Sequence, residues 1–123
     1  MKLFVVIGSL SAFLGVALGA FGAHGLKNMV AQDMLKVWET AVLYHLVHAV
    51  GLVLVGVLCH LMPEVSTVRS AGWAMLAGTI LFSGSLYLLV LTGSKPLGII
   101  TPIGGVAFLA GWLLLAAAAW QNG

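Results

Sequence analysis

Residues Gly15–Lys27 read GVALGAFGAHGLK, and how they are read decides the fold. Valine, leucine and phenylalanine make the stretch apolar, yet Gly15, Gly19 and Gly22 share it with Ala17, Ala20 and Ala23, and it closes on His24 and Lys27. In a water-soluble helix each interior glycine costs about 1 kcal/mol relative to alanine. In lipid there is a compensating gain. Lipid tails are as apolar as leucine, so membrane helices associate through close van der Waals contact, which small residues permit. The stretch therefore reads as the packing face of a membrane helix.

The pattern extends in both directions. Gly8, Gly15 and Gly22 recur every seven residues, and Ser11, Gly15, Gly19 and Ala23 every four, so both series share one broad stripe. Gly104 and Gly111 repeat the seven-residue spacing near the C-terminus, as do Gly98 and Gly105. Gly72, Gly78, Ser83, Gly84 and Ser85 supply small residues to a third segment. Three helices thus present seams for tight packing.

Composition supports lipid as the solvent. Of 123 residues, 62% are hydrophobic and 7% charged, against roughly 25% charged in a soluble domain. Apolar runs cover 3–23, 41–62, 70–91 and 97–120; each is about 21 to 24 residues long, and about 20 cross the hydrocarbon as a helix. Every backbone polar group in lipid must be satisfied internally, and no period-two alternation supports a barrel. The expected fold is an all-α integral membrane domain over 1–123, an antiparallel bundle of four transmembrane helices. A signal peptide is the competing reading of the first run, because Lys2 precedes an apolar core and GAFGA offers small residues. The run is longer than a signal core, so an uncleaved span is expected.

The connections are punctuated differently. Between the first two runs, Leu26, Val30, Met34, Val37 and Trp38 recur at helical spacing opposite Asn28, Gln32, Lys36 and Glu39. That pattern predicts a short interfacial amphipathic helix with Trp38 at the headgroups; an extension of the second span is the alternative. PEVSTVR and TGSKP are short and imply antiparallel neighbours. In KPLGIITPIGG, Thr101 and Pro102 form an N-cap and first-turn pair, which predicts that regular helix begins near Pro102 and that Leu97–Ile100 is an apolar turn.

Charge narrows the function. The net charge of +2 rests on five cations, with no basic run, so nucleic-acid binding has no electrostatic basis. Lys27, Lys36 and Lys95 lie on one side and Lys2 and Arg69 on the other, which by the positive-inside rule places both termini outside the cytoplasm. The single cysteine, Cys59, excludes an intrachain disulfide. It adjoins His60, but neighbouring helical residues point in different directions, so the two make no nucleophile and base. No Ser-His-Asp order, phosphate loop or carboxylate pair is present, so no enzyme and no cofactor are predicted.

Polar groups within the spans are the remaining signal, because ionisable residues at such depth are costly and face the bundle interior. Tyr44, His45 and His48 share a face of the second span, and Ser83, Ser85 and Tyr87 lie on the third as their potential partners. One reading is a hydrogen-bonded cluster that fixes helix register. Another is haem or metal ligation by His45 or His48, with His24 as a further ligand. A third is a proton or small-solute path. The lipid bilayer is the first expected partner, and a membrane protein or a second copy is the candidate occupant of any surplus seam.

Four blocks resemble a known family: LGAFGAHGLK (18–27), WETAVLYHLVHAVGL (38–52), LFSGSLYLLVLTG (81–93) and LGIITPIGGVAFLAGW (97–112). They are similar, in order, to the small bacterial inner-membrane YgdD-like proteins, domain of unknown function 423, with eukaryotic relatives called transmembrane protein 256. Matching positions include His24, Trp38, Tyr44, His48, Ser83, Gly84, Ser85, Tyr87, Thr101, Pro102, Gly104 and Gly105. The resemblance implies a four-helix protein of the bacterial cytoplasmic membrane. It implies no reaction, ligand or catalytic residue.

Overall fold

The computed structural model describes residues 2–122, the last by its backbone alone. Four long helices run through the described residues: α1 Lys2–His24, α2 Gln32–Leu61, α3 Ser66–Thr92 and α4 Leu97–Asn122. Each is long and apolar enough to cross a membrane, and no strand occurs among the described residues. The expected four-helix membrane bundle is the observed one.

Two local expectations are corrected. No separate interfacial helix lies between α1 and α2. A 3-10 turn, Leu26–Asn28, is followed directly by α2. At 30 residues, α2 is ~45 Å long, against a hydrocarbon core of ~30 Å, so its first turns carry Asp33, Lys36 and Glu39 beyond the apolar layer. Leu26 folds inward instead of lying on the surface and is buried with Trp38 and Val90.

Nor does α4 wait for Pro102. It runs uninterrupted from Leu97, and Pro102 lies inside it. Proline in the second turn of a helix removes one main-chain bond, here to the Gly98 carbonyl, and the N–H groups of the first turn just before it lack helical partners in any case. Thr101 is accordingly no N-cap; its hydroxyl hydrogen-bonds Ser85.

α3 is not uniform. Regular helix over Ser66–Gly78 gives way to a π turn at Thr79–Ser83, then resumes over Gly84–Thr92. It stops at Gly93, whose φ of 71° is left-handed and whose N–H returns to the Leu89 carbonyl at 2.8 Å, the usual glycine helix terminus.

α1 packs along α2 and α4 along α3, while α2 and α3 meet between them. On α1 the glycine stripe faces α2: a Cβ on Gly8 would lie 2.7 Å from Val53 N and 2.8 Å from Ala49 O, and one on Gly15 would lie 2.7 Å from Leu46 Cδ2. One on Gly19 would meet Val42 Cγ1 at 3.2 Å and one on Gly22 the Trp38 ring at 2.5 Å. On α4, Gly104 presses on the main chain of Leu81 and Phe82, and a Cβ on Gly111 would lie 2.9 Å from Met75 Cγ. Gly105 meets the Phe82 ring at an ordinary 3.9 Å. Two glycines expected in the seams stand outside them. Gly98 has open space beside it, and a Cβ on Gly84 would find only Thr79 O, its own helix, at 4.0 Å. At the end of the bundle holding both termini, Phe4, Leu52, Val55, Cys59, Val68, Met75 and Ala118 form an apolar core.

An intramembrane polar network as candidate functional site

Polar side chains in lipid need partners from the protein, and the positions of the helices decide which ones they find. His45, midway along α2, bridges two helices. Its Nδ1 lies 2.7 Å from the Tyr87 hydroxyl of α3 and its Nε2 3.0 Å from the Ser11 hydroxyl of α1. Both hydroxyls can donate or accept, so either histidine tautomer satisfies the pair.

His48 turns toward α4. Its Nδ1 is 2.8 Å from the Tyr44 carbonyl, and Trp112 Nε1–H donates to its Nε2 at 2.9 Å. A carbonyl only accepts and an indole only donates, so the ring must be neutral with its proton on Nδ1. The imidazole also lies flat on Phe108, with centroids 3.5 Å apart and planes 9° from parallel. Glycine contacts close the α1–α2 and α3–α4 seams, whereas stacked rings fill the space between α2 and α4.

The π turn distributes the SGS motif among three neighbours. Ser83 Oγ donates to the Ala41 carbonyl of α2 at 2.8 Å, and Ser85 Oγ lies 2.6 Å from Thr101 Oγ1 of α4. Gly84 between them lines a cleft that faces α1. Closer to the start of α2, Trp38 Nε1–H donates to the Leu18 carbonyl of α1 at 2.9 Å, and its ring packs on Tyr87 with centroids 4.8 Å apart. Gly22 makes that indole position available, since a Cβ there would overlap it. Among the described residues no buried side-chain nitrogen or oxygen lacks a partner.

Several placements differ from the sequence reading. Trp38, expected at the interface, is 1% exposed and ties two helices together. His45 and His48, expected on one face, serve different neighbours. Tyr44 is 41% exposed, and it is its backbone carbonyl, not its hydroxyl, that holds His48. Its ring covers Phe82 at 4.7 Å. Ser11, read as a small packing residue, is a hydrogen-bond partner. His24 lies exposed at the end of α1, apart from this network. Sequence reasoning missed Phe108, Trp112 and Thr101 as partners. The indole had one available signal: a tryptophan in a span carries an N–H that must be satisfied.

Haem or metal ligation would require a free imidazole nitrogen, and both rings have both nitrogens engaged. No group of three or more His, Cys, Asp or Glu gathers among the described residues. The arrangement can lock helix register: interhelical hydrogen bonds in a membrane average about 0.6 kcal/mol and reach about 1.7.

Comparison with known proteins agrees with this architecture. The profile of a family described as a protein of unknown function (DUF423) matches residues 18–105. The chain is 49% identical over 119 residues to the UPF0382 membrane protein YwdK of Bacillus subtilis (strain 168), covering 97% of each. It is 48% identical over 121 residues to the UPF0382 membrane protein SAB0533 of Staphylococcus aureus (strain bovine RF122 / ET3-1), covering 98% of each. With SH2409 of Staphylococcus haemolyticus (strain JCSC1435) it shares 47% over 115 residues, 94% of this chain and 93% of the relative. No solved structure matches. Full-length similarity to these membrane proteins, together with four membrane-length helices, places the chain in the DUF423 family of integral membrane proteins.

Proposed function

We propose that the chain is a non-enzymatic accessory, assembly or regulatory component of the bacterial cytoplasmic membrane, with both termini outside the cytoplasm. One observation carries this reading: among the described residues the buried polar side chains bind other helices or their own backbone, which ties them to helix register. No cofactor is required by such a role. The outer faces of α1 and α4 remain apolar and available, with Phe13, Val16, Val106 and Leu113 all exposed.

Purification in gentle detergent followed by mass spectrometry tests the proposal. A stoichiometric membrane-protein partner or a defined homo-oligomer is expected; a lone monomer in every mild detergent overturns it. A reporter fused to the C-terminus tests orientation and should be active only outside the cytoplasm.

A second reading, a small ligand, metal or haem held at the histidines, draws support from the cleft against which His45 lies. Metal content and the visible spectrum of the purified protein decide it. A featureless, metal-free sample unaltered by His48→Phe ends that reading.

A further inference from the structure

Gly84 is a packing residue by sequence, yet a Cβ placed there would meet no other helix within 4 Å. Together with Leu14, Leu18, Leu76, Ile80 and His45 it lines a cleft of about 310 Å³ between α1 and α3. The cleft is bridged on either side along the membrane normal. Toward the termini, Phe4 of α1 packs on Gly72 and lies edge-on to Trp73 of α3, with centroids 5.0 Å apart. Toward the other surface, Trp38 spans from the Leu18 carbonyl to the Tyr87 ring. What remains is a window at mid-membrane depth, with Ser11 and Ile80 near the centres of their helices and His45 as its floor.

We propose that this window holds one acyl tail of a bilayer phospholipid as a resident ligand. Three properties point to that occupant. The walls are almost wholly apolar: His45 is turned to Ser11 and Tyr87, and the Thr79 and Ser83 hydroxyls donate to the Met75 and Ala41 carbonyls, so the space suits hydrocarbon better than water, which needs two to four polar partners. The space, at about 310 Å³, is too small for a helix, whose diameter with side chains is ~10–12 Å. It opens sideways, where lipid tails are the surrounding medium. With a unit volume of ~30 Å³, the share of one water in the liquid, it accommodates about ten methylene-sized groups. A tail there touches α1, α2 and α3 at once, and such contacts are individually small and collectively large. It exchanges more slowly than a tail on the smooth outer face of α4.

Gly84→Leu tests this directly. The backbone at Gly84 is ordinary right-handed helix, φ −59° and ψ −44°, and a Cβ there has room on the wall of the window, so the new side chain is directed into that space. Native mass spectrometry of protein extracted from its own membrane should show roughly one phospholipid per wild-type chain surviving detergent exchange, and about tenfold less on Gly84→Leu. A second measurement needs no variant. In phosphatidylglycerol and phosphatidylethanolamine vesicles, a phospholipid carrying a mid-chain diazirine should label Leu14, Leu76 and Ile80 in preference to Val106 and Leu113 on α4. Equal retention by both proteins overturns the proposal, as does uniform labelling. So does recovery of an isoprenoid, a second copy or another protein in the window. A monomer that retains phospholipid supports this inference while counting against an accessory role, so the two fail separately.

Discussion

Replacing Gly104 by alanine puts a methyl group into the main chain of α3. Its Cβ would lie 2.7 Å from the Leu81 carbonyl carbon and 2.8 Å from Phe82 Cα. Carbon atoms prefer ~3.5–4.0 Å, so α4 must retreat by about 1 Å, because backbone atoms cannot rotate aside as a side chain does. That retreat strains the Ser85–Thr101 bond at 2.6 Å and the His48–Phe108 stack at 3.5 Å. Overpacking costs about 1–3 kcal/mol, and the upper half of that range applies to a backbone obstacle. Alanine returns about 1 kcal/mol of helix propensity. The net loss for Gly104→Ala is therefore about 1–2 kcal/mol. Gly105→Ala is the internal control. It has the same propensity gain in the same helix, but its nearest neighbour is the Phe82 ring at 3.9 Å, so it should be neutral or stabilising by up to about 1 kcal/mol. Reversible unfolding in mixed micelles of mild and denaturing detergent measures both. Equal stability of the two variants would refute the claim that α3 and α4 are held by main-chain proximity.

The hydrogen-bond network carries three further expectations. Tyr87→Phe removes the hydroxyl from His45 and should cost about 0.6–1.7 kcal/mol; in a double-mutant cycle with His45→Phe, a coupling near zero would show that the 2.7 Å contact contributes nothing. Nitrogen NMR of labelled histidine should find His48 neutral with its proton on Nδ1, and Trp112→Phe should free the Nε2 lone pair and shift its resonance; a proton on Nε2 in the wild type contradicts the geometry. Trp38→Phe keeps the stack on Tyr87 but loses the bond to Leu18, so it should destabilise by about 1 kcal/mol. Trp38→Ala should cost about 3–5 kcal/mol by leaving a cavity, and similar losses for the two would assign Trp38 to the bond rather than to packing.

The fold was legible because hydropathy and length are local properties. Four apolar runs demand four helices wherever they end up, and the small-residue stripe of α1 fell on one side of its helix as its spacing required. The ends of helices were less legible. At Pro102 the rule that proline breaks helices did not hold, because so near the start of α4 it removes a single main-chain bond, and the amphipathic pattern before Ala41 was in large part a helix outrunning the bilayer.

Sequence alone determined that polar groups lie at depth and that glycines make seams; only the tertiary structure decided who meets whom. Residues three apart on a helix project about 60° from one another, which reads as one face. α2, however, sits among several helices, and 60° is enough to hand His45 to α1 and α3 and His48 to α4. The π turn likewise aims Ser83 and Ser85 at different helices and leaves Gly84 facing a cleft. Periodicity fixes angles about one axis, whereas partners depend on where the other three axes stand, and that is a property of the assembled bundle.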